Sequence, residues 1–175
     1  QVAAVVRPGN TEEVQAAVRI AARGGLSVYP ISTGKNWGYG TALPVGENNV
    51  ILDLGRMNRI IAVNPDLAYA VIEPGVTQRQ LHEFLRDHRL PLHISPSGSS
   101  PDCSLMGNTL ERGFGATPGG CHAYAICGME VVLPDGGLLR TGYGHFDGAR
   151  AKYVYEHGIG PQLDGIGQRG LERLL

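Results

Sequence analysis

An α+β fold is what this sequence predicts, and three observations carry the prediction. A helical apolar repeat near the N-terminus leads through a short β-rich run into a glycine-rich loop. Two later stretches read as β-hairpins, with turns built from Pro, Asn, Asp and Gly. Between them lie short helices bounded by capping residues and glycines. The 175 residues suffice for one ordinary domain or for two small subdomains sharing a core.

The elements follow in order. Residues 10–24 read as a helix: Asn10 and Glu13 resemble a capping box, Val14, Ala17, Val18 and Ala21 repeat at helical spacing, and Gly24-Gly25 stop it. "LSVYPIS" is a short strand that enters the loop "ISTGKNWGYG" at 31–40, and "NVILDLG" at 49–55 is a second strand. "NRIIAVNPDLAYAVIEPG" at 58–75 reads as a hairpin turning on Asn64-Pro65-Asp66 and ended by Pro74-Gly75. Thr77 with Gln80 caps a helix that carries Leu81, Phe84 and Leu85 on one face, and Pro91 marks its end. A polar loop, "SPSGSSPDCS", covers 95–104, and a short helix from about 104 to 112 stops at Gly113. "GMEVVLPDGGLLRTG" at 128–142 is a second hairpin, turning on Pro134 to Gly137. The pattern divides the chain into a first subdomain at 1–56, a second at 57–166 and a divergent tail at 167–175.

Composition removes several function classes. A formal net charge of −1 leaves no electrostatic footprint for nucleic acid or an anionic membrane. No apolar run reaches the roughly 20 residues needed to span a bilayer. The opening "QVAAVVRPGNTEE" lacks the layout of a signal peptide, so a cytoplasmic location is expected. The periplasm is the alternative, because Gln1 is compatible with a removed leader. The 3 cysteines form no CxxC pair and the 6 histidines show no ligand spacing, so neither a metal site nor a disulfide framework is expected. Each histidine reads as a surface or core residue. Glycine is the unusual number: 26 of 175 residues, clustered at 34–40, 113–120, 136–144 and 158–170. That density suits loops whose backbone approaches a ligand, with ordinary turns accounting for part of it.

The motifs admit two readings each when taken singly. The 31–40 loop lacks the Walker A and GxGxxG orders, so it is either a glycine-rich turn or an anion-binding nest assisted by Lys35 and Asn36. "GNTLERGFG" at 107–115 places Asn108 and Arg112 four apart, able to share a helix face toward a ring edge or a phosphate, or simply ending a charged helix. Asp102 is a base or hydrogen-bond acceptor near a reactive centre, or a turn former after Pro101.

Taken in order, "PISTGKNWGYG", "VIEPGVT", "GNTLERGFGATP", "GMEVVLPDGGLLRTG" and "GIGPQLDGI" resemble the flavin-binding domain of the 4-cresol methylhydroxylase / vanillyl-alcohol oxidase family, from about residue 2 to 166. The resemblance implies a two-subdomain PCMH-type FAD-binding fold with extended FAD between the halves. It implies that Pro30, Ile31, Ser32, Thr33, Gly34, Lys35, Asn36 and Gly38 wrap the pyrophosphate, and that Pro74 and Gly75 lie along the cofactor. Gly98, Ser99 and Ser104 fall on the same lining. Gly107, Asn108, Glu111, Arg112 and Gly113 are implied near the flavin. Tyr39 is implied as the catalytic tyrosine that reaches a phenolic substrate, with Asp102 as the second catalytic candidate. The family chemistry is hydride transfer from the benzylic carbon of a para-substituted phenol, made accessible by deprotonation, to a flavin that carries the redox step. Tyrosines and an arginine stabilise the phenolate.

The sequence departs from that family at three places. Phenol-active members read "GYTPYG" where this chain has "GATPGGCH", with Ala116 and Gly119 at the tyrosine positions. Ser99 or Ser100 stands where family oxidases carry an acidic residue, so Asp102 serves only if the loop is re-registered. After "LDGI" the chain reads "GQRGLERLL" in place of a cofactor-lining strand, and the substrate cap domain is absent from it. With no histidine at 33–40, FAD is expected to be non-covalent. The expectation is an FAD-binding domain of a flavin-dependent oxidoreductase acting on a para-substituted phenol or other alcohol, truncated before its cap and inactive alone. The alternative is a non-catalytic remnant with weak or no FAD binding. FAD, a cap domain, an electron acceptor and a second copy paired at an open sheet edge are the expected partners.

Overall fold

The computed structural model describes residues 1–35, 42–150 and 152–155. Asn36, Gly38, Tyr39, the segment "GIGPQLDGI" and the tail lie outside the described residues.

A parallel sheet organises the N-terminal part. Its strands are β1 (Val2–Val6), β2 (Ser27–Ile31) and β3 (Asn49–Asp53), in the order β1-β3-β2. The central strand, β3, is buried from Asn49 to Leu52, as the apolar run "NVIL" demands of a strand covered on both faces. Helix α1 (Thr11–Arg23) joins β1 to β2. Asn10 caps it by accepting from the Glu13 N–H at 2.8 Å, while the Glu13 carboxylate reaches back to the Gly9 N–H at 2.7 Å. Val14 of α1 packs with Leu52 and Met57 to form the first core. No strand is predicted at 2–6, yet β1 forms there. "VAAVV" has no period-two alternation, and only its parallel pairing with β3 makes it a strand.

A second unit follows. Strands β4 (Ile60–Asn64) and β5 (Tyr69–Ile72) pair antiparallel as the predicted hairpin, and Asn64 Oδ1 accepts from the Leu67 N–H at 2.9 Å to close its turn. Helix α2 (Gln78–Asp87) carries the full Thr77/Gln80 capping box. Its Leu81 and Leu85 pack with Val76 into a second core that also collects Ile60, Val63, Ile72 and Leu105. Helix α3 is shorter than predicted, Leu105–Leu110, capped by Ser104. The last pair, β6 (Glu130–Val132) and β7 (Leu138–Arg140), is the predicted second hairpin. It packs back onto α1: Val132 joins the first core, and Gln15 Nε2 donates to the Gly136 carbonyl at 2.7 Å. Among the described residues no helix is long and apolar enough to cross a membrane.

Candidate functional site

Because β1, β2 and β3 are parallel, their carboxyl ends share one edge of the sheet, the edge at which open parallel sheets receive ligands. Residues 31–35 leave β2 there and 54–57 leave β3 beside them. The Arg7 guanidinium bridges to Asp53 at 3.0 Å and ties β1 to β3 at this edge.

The segment Glu73-Pro74-Gly75 is locked against 54–57. The Gly75 N–H donates to the Met57 carbonyl at 2.7 Å, and a Cβ on Gly75 would stand 2.8 Å from the Leu54 and Met57 carbonyl oxygens. Only glycine lets the two backbones approach this closely. Glu73 is buried and accepts from the Arg59 N–H at 2.7 Å, Nε at 2.9 Å and Nη2 at 2.6 Å. Burial pushes its carboxyl up, but the bonds from Arg59 outweigh that and hold it below the ordinary glutamate range. Glu73 is therefore a structural anchor beneath Pro74 and Gly75.

Ser104 joins the next segment to these two. Its hydroxyl donates to the Pro74 carbonyl at 2.7 Å and accepts from the Gly107 N–H at 2.9 Å, while its own N–H donates to Thr33 Oγ1 at 3.2 Å. Neighbouring Cys103 is buried, with its thiol 3.0 Å from the Lys35 carbonyl. The Cα of Gly107 lies over Ser32, where a Cβ would meet the hydroxyl at 2.7 Å. The structure thus brings together Ile31 to Lys35, Pro74-Gly75 and Ser104 to Gly107, three segments far apart in sequence. Pro30, by contrast, sits within β2, paired with Leu52.

Asp102 lies beside this convergence and is half exposed. Its carboxylate receives Arg79 Nε at 2.9 Å and faces Lys35 Nζ at 3.8 Å. The hydrogen bond from Arg79 holds its carboxyl below the usual aspartate range, so at neutral pH it is a charge partner for the loop. Gly98 and Ser99 lie in the loop above α2: Ser99 Oγ meets Ser97 Oγ at 2.5 Å, and Ser97 is tied to Gln78 by its N–H at 2.9 Å.

Asn108 and Arg112 do not share a helix face. Helix α3 ends at Leu110, Glu111 caps it, and Arg112 takes the left-handed conformation, φ 55°. The Asn108 carboxamide folds instead over Gly113, occupying the place a Cβ would take there, and Oδ1 meets His122 Nδ1. His122 Nε2 lies 3.0 Å from Ser95 Oγ, which is 2.6 Å from Thr117 Oγ1. Burial pushes the His122 imidazole below its ordinary value.

Sequence patterns pointed to none of Arg79, Ser95, Thr117 and His122. Their partners lie 14 to 27 positions away, outside any local spacing rule. The one available signal was "GCH" inside a glycine cluster, where a bulky polar ring has room only because its neighbours are small.

Comparison with known proteins places these features in context. A family model described as FAD binding domain matches residues 2–142. The 1'-carboxy-chondrochloren decarboxylase of Chondromyces crocatus is 49% identical over 95% of this chain and 31% of its own length. The 4-cresol dehydrogenase [hydroxylating] flavoprotein subunit of Pseudomonas putida is 43% identical over 93% of this chain and 31% of its own. The solved 4-ethylphenol oxidase from Gulosibacter chungangensis, an isoeugenol complex, superimposes with a TM-score of 0.90 at 45% identity, covering 94% of this chain and 31% of that one. The chain spans 31% of the length of these relatives.

Proposed function

We propose, from the premise that this chain belongs to the FAD binding domain family, that it holds FAD non-covalently as the cofactor-binding part of an oxidoreductase of para-substituted phenols or other alcohols. The fold is the PCMH-type α+β fold of the flavin-dependent oxidoreductases, and the cofactor is FAD. The residues present fit such a group. A backbone surface where glycines at 75 and 107 let three segments pack closely, edged by the Ser32 and Thr33 hydroxyls, suits an extended diphosphate. The observation that carries the reading is this convergence of 31–35, 74–75 and 104–107 at the carboxyl edge of a parallel sheet.

Ser32, Thr33, Gly34 and Lys35, with Asn36 and Gly38 beyond them, embrace the diphosphate. Pro74 and Gly75 form the floor, Gly98 and Ser99 the rim, and Gly107, Asn108, Glu111, Arg112 and Gly113 the flavin end. FAD supplies the two-electron acceptor; the chain orients it and excludes water from it. Tyr39 takes the catalytic tyrosine's role, and Asp102 acts as the charge partner that positions Lys35. The cofactor lies between a first subdomain, 1–56, and a second, 57–166, ahead of a divergent tail at 167–175. In the whole protein a cap domain closes the pocket and a separate acceptor removes the electrons, in the cytoplasm.

Titration of the purified chain with FAD tests the reading. Saturable quenching of flavin fluorescence with a raised melting temperature is expected. A colourless protein that gains no thermal stability from FAD supports the non-catalytic remnant instead. Turnover of para-alkyl phenols by the full-length protein tests the substrate class; turnover confined to other alcohols moves it.

A further inference from the structure

We infer that His122 is a positioning residue for Asn108, fixing its carboxamide so that the NH2 half is the donor left for a ligand; that this ligand is the flavin rests on the proposed function of the segment. Each ring nitrogen of His122 has one partner: Asn108 Oδ1 at Nδ1, and Ser95 Oγ, 3.0 Å away, at Nε2. A neutral imidazole donates from one nitrogen and accepts at the other. Since Oδ1 only accepts, the proton sits on Nδ1, and Nε2 accepts from the Ser95 hydroxyl. Ser95 then accepts from Thr117, whose hydroxyl is 2.6 Å away. The chain of donors therefore runs one way, from Thr117 through Ser95 and His122 to Asn108.

Two glycines make room for this arrangement. The Asn108 amide occupies the side-chain space of Gly113, and the His122 ring edge and Ser95 hydroxyl occupy that of Gly115. With Oδ1 taken, Asn108 retains Nδ2, which makes no hydrogen bond among the described residues, and the residue is only half-buried. It follows directly on Gly107, which packs on Ser32 of the slot. The ligand edge met here is then a hydrogen-bond acceptor, such as a ring carbonyl oxygen or an unprotonated ring nitrogen. Burial keeps the imidazole neutral and the donor order intact.

Two substitutions separate positioning from space-filling. His122→Asn keeps a donor near the Nδ1 position and loses the Ser95 contact; His122→Gln is closer in volume but keeps a group near Nε2. Positioning predicts FAD affinity within about threefold of wild type for H122N and about tenfold or more weaker for H122Q. The reverse order overturns the inference. In an Asn108→Ala background, H122Q adds no further loss if His122 acts through Asn108; an undiminished loss also overturns it. Side-chain 15N NMR of the FAD-free chain provides the readout that does not depend on variants folding. A proton on Nδ1 supports the inference, and a proton on Nε2 overturns it, because Asn108 would then present its oxygen. A wild-type chain with the Nδ1 proton that binds no FAD overturns the flavin reading and supports the orientation of Asn108.

Discussion

In the parallel sheet and its helix, Val14, Leu52 and Met57 exclude water and the strands align by backbone pairing. In the polar cluster of Ser95, Thr117, His122 and Asn108, cohesion comes from hydroxyls, an imidazole and a carboxamide bonded in series across glycines that leave them space. The first region is expected to tolerate changes that conserve volume better than the second, where each donor has one acceptor. A rigid apolar base with a polar, geometry-critical lining is how a slot keeps its shape while exposing polar groups to a ligand.

The difference can be broken from either side. Leu52→Ala empties the centre of the first core and is expected to cost about 2–5 kcal/mol in urea unfolding. Gly75→Ala pushes a methyl into the Leu54 and Met57 carbonyls. It should cost about 1–3 kcal/mol and abolish FAD quenching at temperatures where the variant is still folded. A variant that binds normally would show that 74–75 is not part of the slot.

Acid sharpens the comparison. The folded-state carboxyl of Glu73 sits below its ordinary value of 4.5, so its contribution is full above that pH and is lost as pH falls through the lowered value. Stability measured by urea unfolding should decline over that window, and Arg59→Ala should flatten the decline. The smallest effect is expected at the rim. Asp102→Asn leaves Lys35 and Arg79 without their shared partner and should weaken FAD binding about threefold, less so in high salt. A large loss of turnover with unchanged FAD affinity, measured on the full-length protein, would instead make Asp102 a catalytic group.

Elements with a local rule were legible in the sequence. The Asn10 and Thr77 caps, the Leu81/Leu85 face and both hairpin turns appear where spacing predicts them. Strand β1 was not, because a parallel edge strand takes its identity from the neighbour it pairs with. From the residues alone the site reads only as separate glycine segments, which the family resemblance joins around FAD; that Ser104 holds Pro74 and Thr33 together is a long-range fact with no periodic trace. The His122 chain was hidden for the same reason. Arg112 was misplaced onto a helix face because the left-handed turn that ends α3 early falls on a residue other than glycine.

The contact of Gln15 with Gly136, 121 positions away, together with Val132 in the first core, has a consequence for the order of events during folding. Helix α1 and the three strands are complete by residue 53, yet one wall of their core is supplied by a hairpin made much later in synthesis. Until that hairpin emerges, α1 lacks part of its packing partner, so the N-terminal unit is expected to close only after residue 140 is made, as contacts of high sequence separation do. The last described strands act as the keystone of the first.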